Sequence, residues 1–322
     1  MAHTSFRALA GTSISSPAVY SGMCDASAAA ALNDHLFAVA SDEDSVIRVY
    51  RRDQSGAPVQ SINLTAFLDL DPKQPESDIE GAARVGDRIY WITSHGRNRN
   101  GRERASRQRF FATQIVTNAE GVHLKMAGGA YEHLLSDLIR NPKLKSLNLA
   151  AASKLEPKAR GALNIEGLSA TPEGGLLIGF RNPIPHGKAF LVPMLNPDQV
   201  VHGGAAKLGE PIFLDLGGRG IRDMAYWDGK YVIIAGSYDG KGVSNLYEWS
   251  GDAASPRLVK HTRLKGLNPE AIIIYPDKGW DEYQLLSDDG RVLMRRRPCK
   301  EVADPSQRQF RSVWVGRYTG QH

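Results

Sequence analysis

The chain has 322 residues, 42% of them hydrophobic, with 40 Lys and Arg against 35 Asp and Glu and only two cysteines. No apolar run approaches the roughly twenty residues of a membrane span, so a soluble chain that avoids membranes is expected, and this length buries a large core in one repeat-built domain over 1–322. A net charge of +5 is a slight excess, two cysteines make no disulfide framework, and MAHTSFRALAGTSISSPAVY shows no secretory signal, so the cytoplasm is the default compartment unless a signal has been removed.

In chain order, Met23 Cys24 Asp25 Ala26 is the first and loosest instance of a recurring phrase: a carboxylate, a small residue, then an apolar run. It returns as Asp78 Ile79 Glu80 Gly81, as Asn164 Ile165 Glu166 Gly167, as Gly220 Ile221 Arg222 Asp223 with a cation in the acid's place, and as Asn268 Pro269 Glu270 Ala271. Recurrence of this kind marks a repeat architecture. Each phrase leads through an apolar strand to a turn, at Asn33 Asp34, Gly86 Asp87, Glu173 Gly174 Gly175, Asp228 Gly229 and Pro276 to Gly279. A second strand follows each turn, in LFAVASD, IYWITSH, LLIGFRN, YVIIAGS and YQLLSDD, which is the signature of a hairpin.

The marked positions lie 55, 86, 56 and 48 residues apart. The long interval contains residues 131–155, YEHLLSDLIRNPKLKSLNLAAASKL, whose leucines fall at helical spacing with Pro142 as a break. Without that helical insertion between the second and third repeats the interval becomes ordinary. Repeats of this size with four short strands each predict an all-β protein, a five-bladed β-propeller. A six-bladed ring is the rival, because residues 1–20 and FRSVWVGRY near the C-terminus have no fixed place. In the preferred arrangement one terminal strand completes a blade begun by the other, which leaves no open sheet edge.

In such a blade the start of the first strand and the end of the second share a rim. The phrase positions Asp25, Glu80, Glu166, Arg222 and Glu270 are therefore expected at one channel mouth, beside Asp42, His95, Arg181, Ser237 and Asp288. Unpaired acids at close range are costly, so protons, Arg222 or a cation must compensate. A divalent cation, Ca²⁺ ahead of Mg²⁺, would use Asp25, Glu80, Glu166 and Glu270, with oxygens added from Ser41 to Asp44 and Ser287 to Asp289. The bland alternative is that these acids hydrate the mouth and cap strand ends. Arg222 either forks to a phosphate or carboxylate or forms a salt bridge to a neighbouring Glu. His95 is a candidate acid or base beside Glu166 and Arg222. The loop Gly96 to Arg109 carries six arginines, with Arg97 and Arg99 nearest the expected pocket, joined there by Arg181 and Ser237 as ligand-binding candidates. It reads as a clamp for a small anionic ligand or as a solvated insertion. The absence of interleaved aromatics argues against nucleic acid. No GxSxG, GxxxxGK[ST], CxxC or HExxH is present.

The segments DIEGAARVGDRIYWITSHGRN, NIEGLSATPEGGLLIGFRNP and NPEAIIIYP resemble an uncharacterised bacterial β-propeller family across roughly residues 20 to 320. More distantly they are similar to phytase-like propellers with proposed esterase or phosphoesterase activity. That resemblance implies a calcium-loaded acidic mouth acting on phosphate esters, with Glu80, Glu166 and Glu270 as metal-facing acids. Arg222 and the helical insertion depart from it. The expectation is a metal-assisted hydrolase of an anionic ester. Its alternative is a non-catalytic module that binds a sugar, an anion or a protein partner.

Overall fold

A computed structural model describes residues 11–260 and 264–318. Five antiparallel sheets stand in a ring. The first blade is Ala28–Ala31, Leu36–Ala40, Val46–Arg51 and Gln60–Asn63, and the second is Ile79–Val85, Arg88–Thr93, Phe110–Asn118 and Gly121–Tyr131. The third is Asn164–Ala170, Leu176–Asn182, Ala189–Met194 and Ile212–Leu214, and the fourth is Gly220–Trp227, Lys230–Gly236, Asn245–Trp249 and Arg257–Leu258. The fifth runs Pro269–Ile274, Glu282–Ser287 and Gln309–Tyr318. Each innermost strand packs on the next, and Pro269–Ile274 meets Ala28–Ala31 to close the circle.

The chain ends make the closure. Gly11–Ile14 and Ala18–Ser21 both pair antiparallel with Gln309–Tyr318, so N-terminal and C-terminal strands share the fifth blade and a sixth does not form. Residues 1–10 lie outside the described residues. At the seam Tyr20 stacks on Phe310 with ring centroids 5.3 Å apart and meets Phe37 edge-on at 5.2 Å, geometries that aromatic pairs favour. The second strands read as unbroken apolar runs because a blade is packed on both faces: every side chain of Leu176–Asn182 is buried.

The turns lie where the hairpin signals put them, with Val85 opposite Arg88 and Trp227 opposite Lys230. The glycine after Glu80 and after Glu166 has a steric cause. A Cβ on Gly81 would sit 2.9 Å from Ile92 and 3.0 Å from Leu168 of the next blade, and one on Gly167 would sit 2.7 Å from Ile221. The helical insertion forms Leu134–Arg140, a 3₁₀ turn at Pro142–Leu147 and Leu149–Ala152. Its buried leucines 134, 138, 144, 147 and 149 join the core between the second and third blades.

Cys24 and Cys299, 275 residues apart in sequence, form a disulfide with a Cα–Cα separation of 5.9 Å. Among the described residues no helix is long and apolar enough to cross a membrane.

Candidate functional site

The innermost strands begin at one mouth of the ring, around a cavity of about 1010 Å³ that Asp25, Glu80, Glu166, Arg222 and Glu270 all line. Four of the five arrive by the same device. The ladder between the first two strands skips a residue at Glu80, between the Ile79–Thr93 and Gly81–Ile92 pairs. It skips again at Glu166, Arg222 and Glu270. A β-bulge takes its extra residue out of pairing and re-aims the side chain, so each blade delivers one bulge side chain to the mouth. Asp25 has no bulge: it precedes its strand and forms an isolated antiparallel bridge with Asp288. Gly290 makes room for it, since a Cβ there would overlap the Asp25 carboxylate at 1.8 Å.

The bulge residues do not form one acidic ring. Arg222 Nη2 pairs with Glu270, and its Nε lies 3.0 Å from Glu166 Oε2. That second contact is ionic but poorly aligned, for neither atom has a hydrogen-bond partner. Arg181 also pairs with Glu166, and Asn164 Nδ2 donates to Glu166 Oε1 at 2.9 Å. Of the two roles open to Arg222, the structure shows the internal salt bridge. Glu166 and Glu270 are thereby separated from the expected four-acid metal set, because arginines already neutralise them.

The remaining acids form two overlapping groups. Ligand oxygens of Asp25, Asp42 and Glu43 lie within 4.8 Å of one another, as do those of Asp42, Asp78 and Glu80. Asp42 belongs to both groups, and its Oδ1 is buried without a hydrogen-bond partner. Burial, then the neighbouring Asp288 and Asp78, raise the Asp42 carboxyl well above the usual carboxylate range. Burial and then Asp78 and Glu166 do the same to Glu80, whose carboxylate has no ion pair or hydrogen bond among the described residues. Asp25 is pushed up to about 10 by burial and by its contact with Asp288. Asp78, held in the left-handed region at φ 60°, is raised by burial to about 6 although Arg107 Nη1 lies 2.9 Å from its Oδ2.

Lys158, Arg181, Arg222 and Arg291 line the cavity, and shielding at the mouth, then Arg291 and Arg181, hold the Lys158 ammonium below its ordinary range. The loop that carries Lys158 is tied down by Asn182, whose Nδ2 donates to Pro157 O at 3.2 Å and Ala159 O at 2.7 Å. Exposed Arg99 and Arg291 make no ion pair or hydrogen bond among the described residues. The mouth thus carries acids without cationic partners and cations without anionic ones.

Other predicted residues fall elsewhere. His95 does not line the cavity: it is 2% exposed, its Nδ1 lies 2.8 Å from Thr93 O, and its Nε2 has no partner. Burial lowers its pKa to about 4. Arg97 turns away to hold the helical insertion, with Nε donating to Ser153 O at 2.9 Å. Ser237 donates to Asp239 and stays off the lining. Within the arginine loop, Arg109 Nε donates to Leu68 O at 3.0 Å and Arg107 pairs with Asp78 and Glu76, so only Arg99 and Arg104 offer charge near the cavity without a carboxylate partner. Sequence reasoning does not single out Asp78, Lys158 or Arg291. Asp78 stands inside the DIEG phrase, where it is legible, but the two cations follow no repeat.

The burial of His95 has a pH consequence. Its folded pKa, about 4, is depressed below the ordinary value of 6.5, so its contribution to stability is present above 6.5 and disappears as pH falls towards 4. The shift corresponds to about 3 kcal/mol. In urea unfolding from pH 7 to pH 4, His95→Gln is expected to lose about that much less stability than wild type, and parallel profiles would contradict the assignment.

No curated protein matches the chain in sequence. Among solved structures, glutaminyl cyclase from Myxococcus xanthus is 11% identical with a TM-score of 0.46, covering 96% of this chain and 98% of its own. The putative oxidoreductase (glucose dehydrogenase) from Thermus thermophilus is 15% identical with a TM-score of 0.44, covering 95% and 100%. At these scores neither bears on chemistry. Matched over residues 25–120 and 102–269, the chain belongs to the β-propeller family described as Protein of unknown function (DUF3616).

Proposed function

We propose that the channel mouth binds a divalent cation on its unpaired acids and the anionic group of an ester on its unpaired cations, and that it hydrolyses that ester. The observation that carries this reading is unpaired charge of both signs in one cavity: among the described residues Asp25, Asp42 and Glu80 lack cationic partners, while Lys158, Arg99 and Arg291 lack anionic ones. Repelling acids with an orphaned buried oxygen fit a hard cation, which takes oxygen ligands. Asp42 would hold it, with Asp25 and Glu80 at its flanks. Calcium fits a site assembled from separate segments better than magnesium, which demands a stricter geometry. When bound, such an ion supplies Lewis acidity towards an ester oxygen and water.

The chain's own side chains do the rest. Lys158, Arg99 and Arg291 bind the anionic group, and Arg181 holds Glu166 in place beside it. Asp78, poised at about 6, takes the proton of the attacking water. The proton that Asp78 gains from the water goes on to the oxygen of the departing alcohol. His95 has no part in this scheme. A phosphate ester is the preferred substrate because several cations converge on one group. The disulfide favours an oxidising compartment over the cytoplasm for this work.

Melting of the purified protein in calcium, magnesium and chelator, with p-nitrophenyl phosphate and p-nitrophenyl acetate as substrates, tests the proposal. Calcium at a hundred times its Kd is expected to stabilise the fold by about 2.7 kcal/mol. Asp42→Asn should melt higher than wild type in chelator and lose the calcium response. Lys158→Ala should keep the calcium response but hydrolyse the phosphate ester more slowly. A wild type indifferent to calcium sinks the cation reading. A calcium response without turnover of either ester leaves a binding module.

A further inference from the structure

The far end of the channel holds a second cavity, of about 710 Å³, within the size range of small-molecule pockets. The later residues of the same innermost strands wall it. Ala30, Ala82, Ala170 and Ala225 stand where larger side chains would close the channel, and Leu168 and Ile272 complete an apolar lining.

Two polar groups break that lining. Ser169 lines the cavity, is 1% exposed, and its hydroxyl has no hydrogen-bond partner. Arg84 is held at the rim by backbone carbonyls alone: its Nε donates to Gly86 O at 2.8 Å, and its Nη1 to Ala31 O at 3.0 Å and Leu32 O at 2.9 Å. No carboxylate forms an ion pair with it among the described residues. Burial lowers its pKa despite the more distant Asp34 and Asp87, as expected of a cation without a counter-ion. A guanidinium keeps its charge in such a place and offers a pre-set fork to an anion. Tyr226 and Trp227 add flat apolar surface to the rim, and Asp228 follows them there without a link to Arg84.

We propose that this cavity binds a small apolar molecule carrying one anionic head, a carboxylate or sulfonate, with its body among the alanines and its head on Arg84. The site is independent of the hydrolytic reading of the opposite mouth. It is tested by fluorescence titration of the intact protein with 1-anilinonaphthalene-8-sulfonate, and with uncharged N-phenyl-1-naphthylamine as the neutral counterpart. One saturable site is expected for the sulfonate. Arg84→Gln should weaken it about tenfold or more, and Arg84→Lys should recover most of the loss. Ala225→Phe should abolish binding of both dyes by filling the space, with circular dichroism reporting that the fold persists. If Ala225→Phe does not fold, the Arg84 pair and the neutral dye still decide. No saturable site in wild type overturns the proposal, as does equal affinity of wild type and Arg84→Gln for the sulfonate. Preference for the neutral dye overturns the anionic head.

Discussion

Replacing Arg222 with Met is expected to destabilise the protein by about 3–5 kcal/mol, the usual result of removing one partner from a buried ion pair. Arg222 is 5% exposed and bridges Glu166 and Glu270, which are 3% and 8% exposed. Among the described residues the variant leaves Glu166 with Arg181 and Asn164, and Glu270 with only Asn268, whose Nδ2 lies 3.1 Å from Glu270 Oε1. The loss is therefore expected to fall mainly on Glu270. Adding Glu270→Gln to Arg222→Met should restore most of the stability, because the uncompensated charge is gone. Urea unfolding of wild type, single and double variants measures this. A double variant as unstable as Arg222→Met would show that the arginine acts by packing, through its methylene stem, instead of by charge.

Reduction of the Cys24–Cys299 bond is expected to cost about 4 kcal/mol. A cross-link stabilises mainly by restricting the unfolded chain, and this one joins residues 275 apart. The same reduction should weaken the calcium response, because the cystine adjoins the site on both sides. Cys24 precedes Asp25, and its carbonyl accepts from Asp289 N at 2.9 Å. Cys299 precedes Lys300, whose Nζ lies 2.9 Å from Glu43 Oε1. Urea midpoints with and without reductant, beside a Cys24→Ser and Cys299→Ser double variant, separate this effect from others. The double variant should sit at the reduced midpoint and ignore reductant. If reductant shifts wild type and double variant alike, the cystine is not the cause.

The architecture was legible because steric demands repeat. Each blade needs two apolar strands and a tight turn, and a small residue after the bulge in three of them left the same phrase at Glu80, Glu166 and Glu270. Arg222 was legible as a break in that phrase, and its neighbours decided between the two roles open to it. The bulges themselves left no trace, since a skipped ladder position depends on the partner strand. The arginine loop misled for a different reason. A guanidinium carries five donors, so Arg97 and Arg109 serve loop and turn carbonyls, and sequence counts their charge without showing where their hydrogen bonds go. His95 stood at a strand end, as an exposed catalyst would, yet its backbone turns at φ 53° and buries the ring. The cystine was hidden by distance along the chain; only closure of the ring by both termini brings its halves together.

Because a bulge residue stands outside the hydrogen-bonded ladder, exchanging it alters the chemistry of the mouth without breaking a strand pair, and the cost of the exchange is set by the charges facing it from the other blades. The ring therefore behaves as a rigid rack with interchangeable sockets, one per blade from the second to the fifth. Arg222 in a socket that holds glutamate elsewhere is such an exchange already made. Relatives of this protein can accordingly diverge in what they bind by swapping charge-matched side chains at these sockets, while the glycine or alanine beside the sockets of Glu80, Glu166 and Glu270 stays under packing constraint.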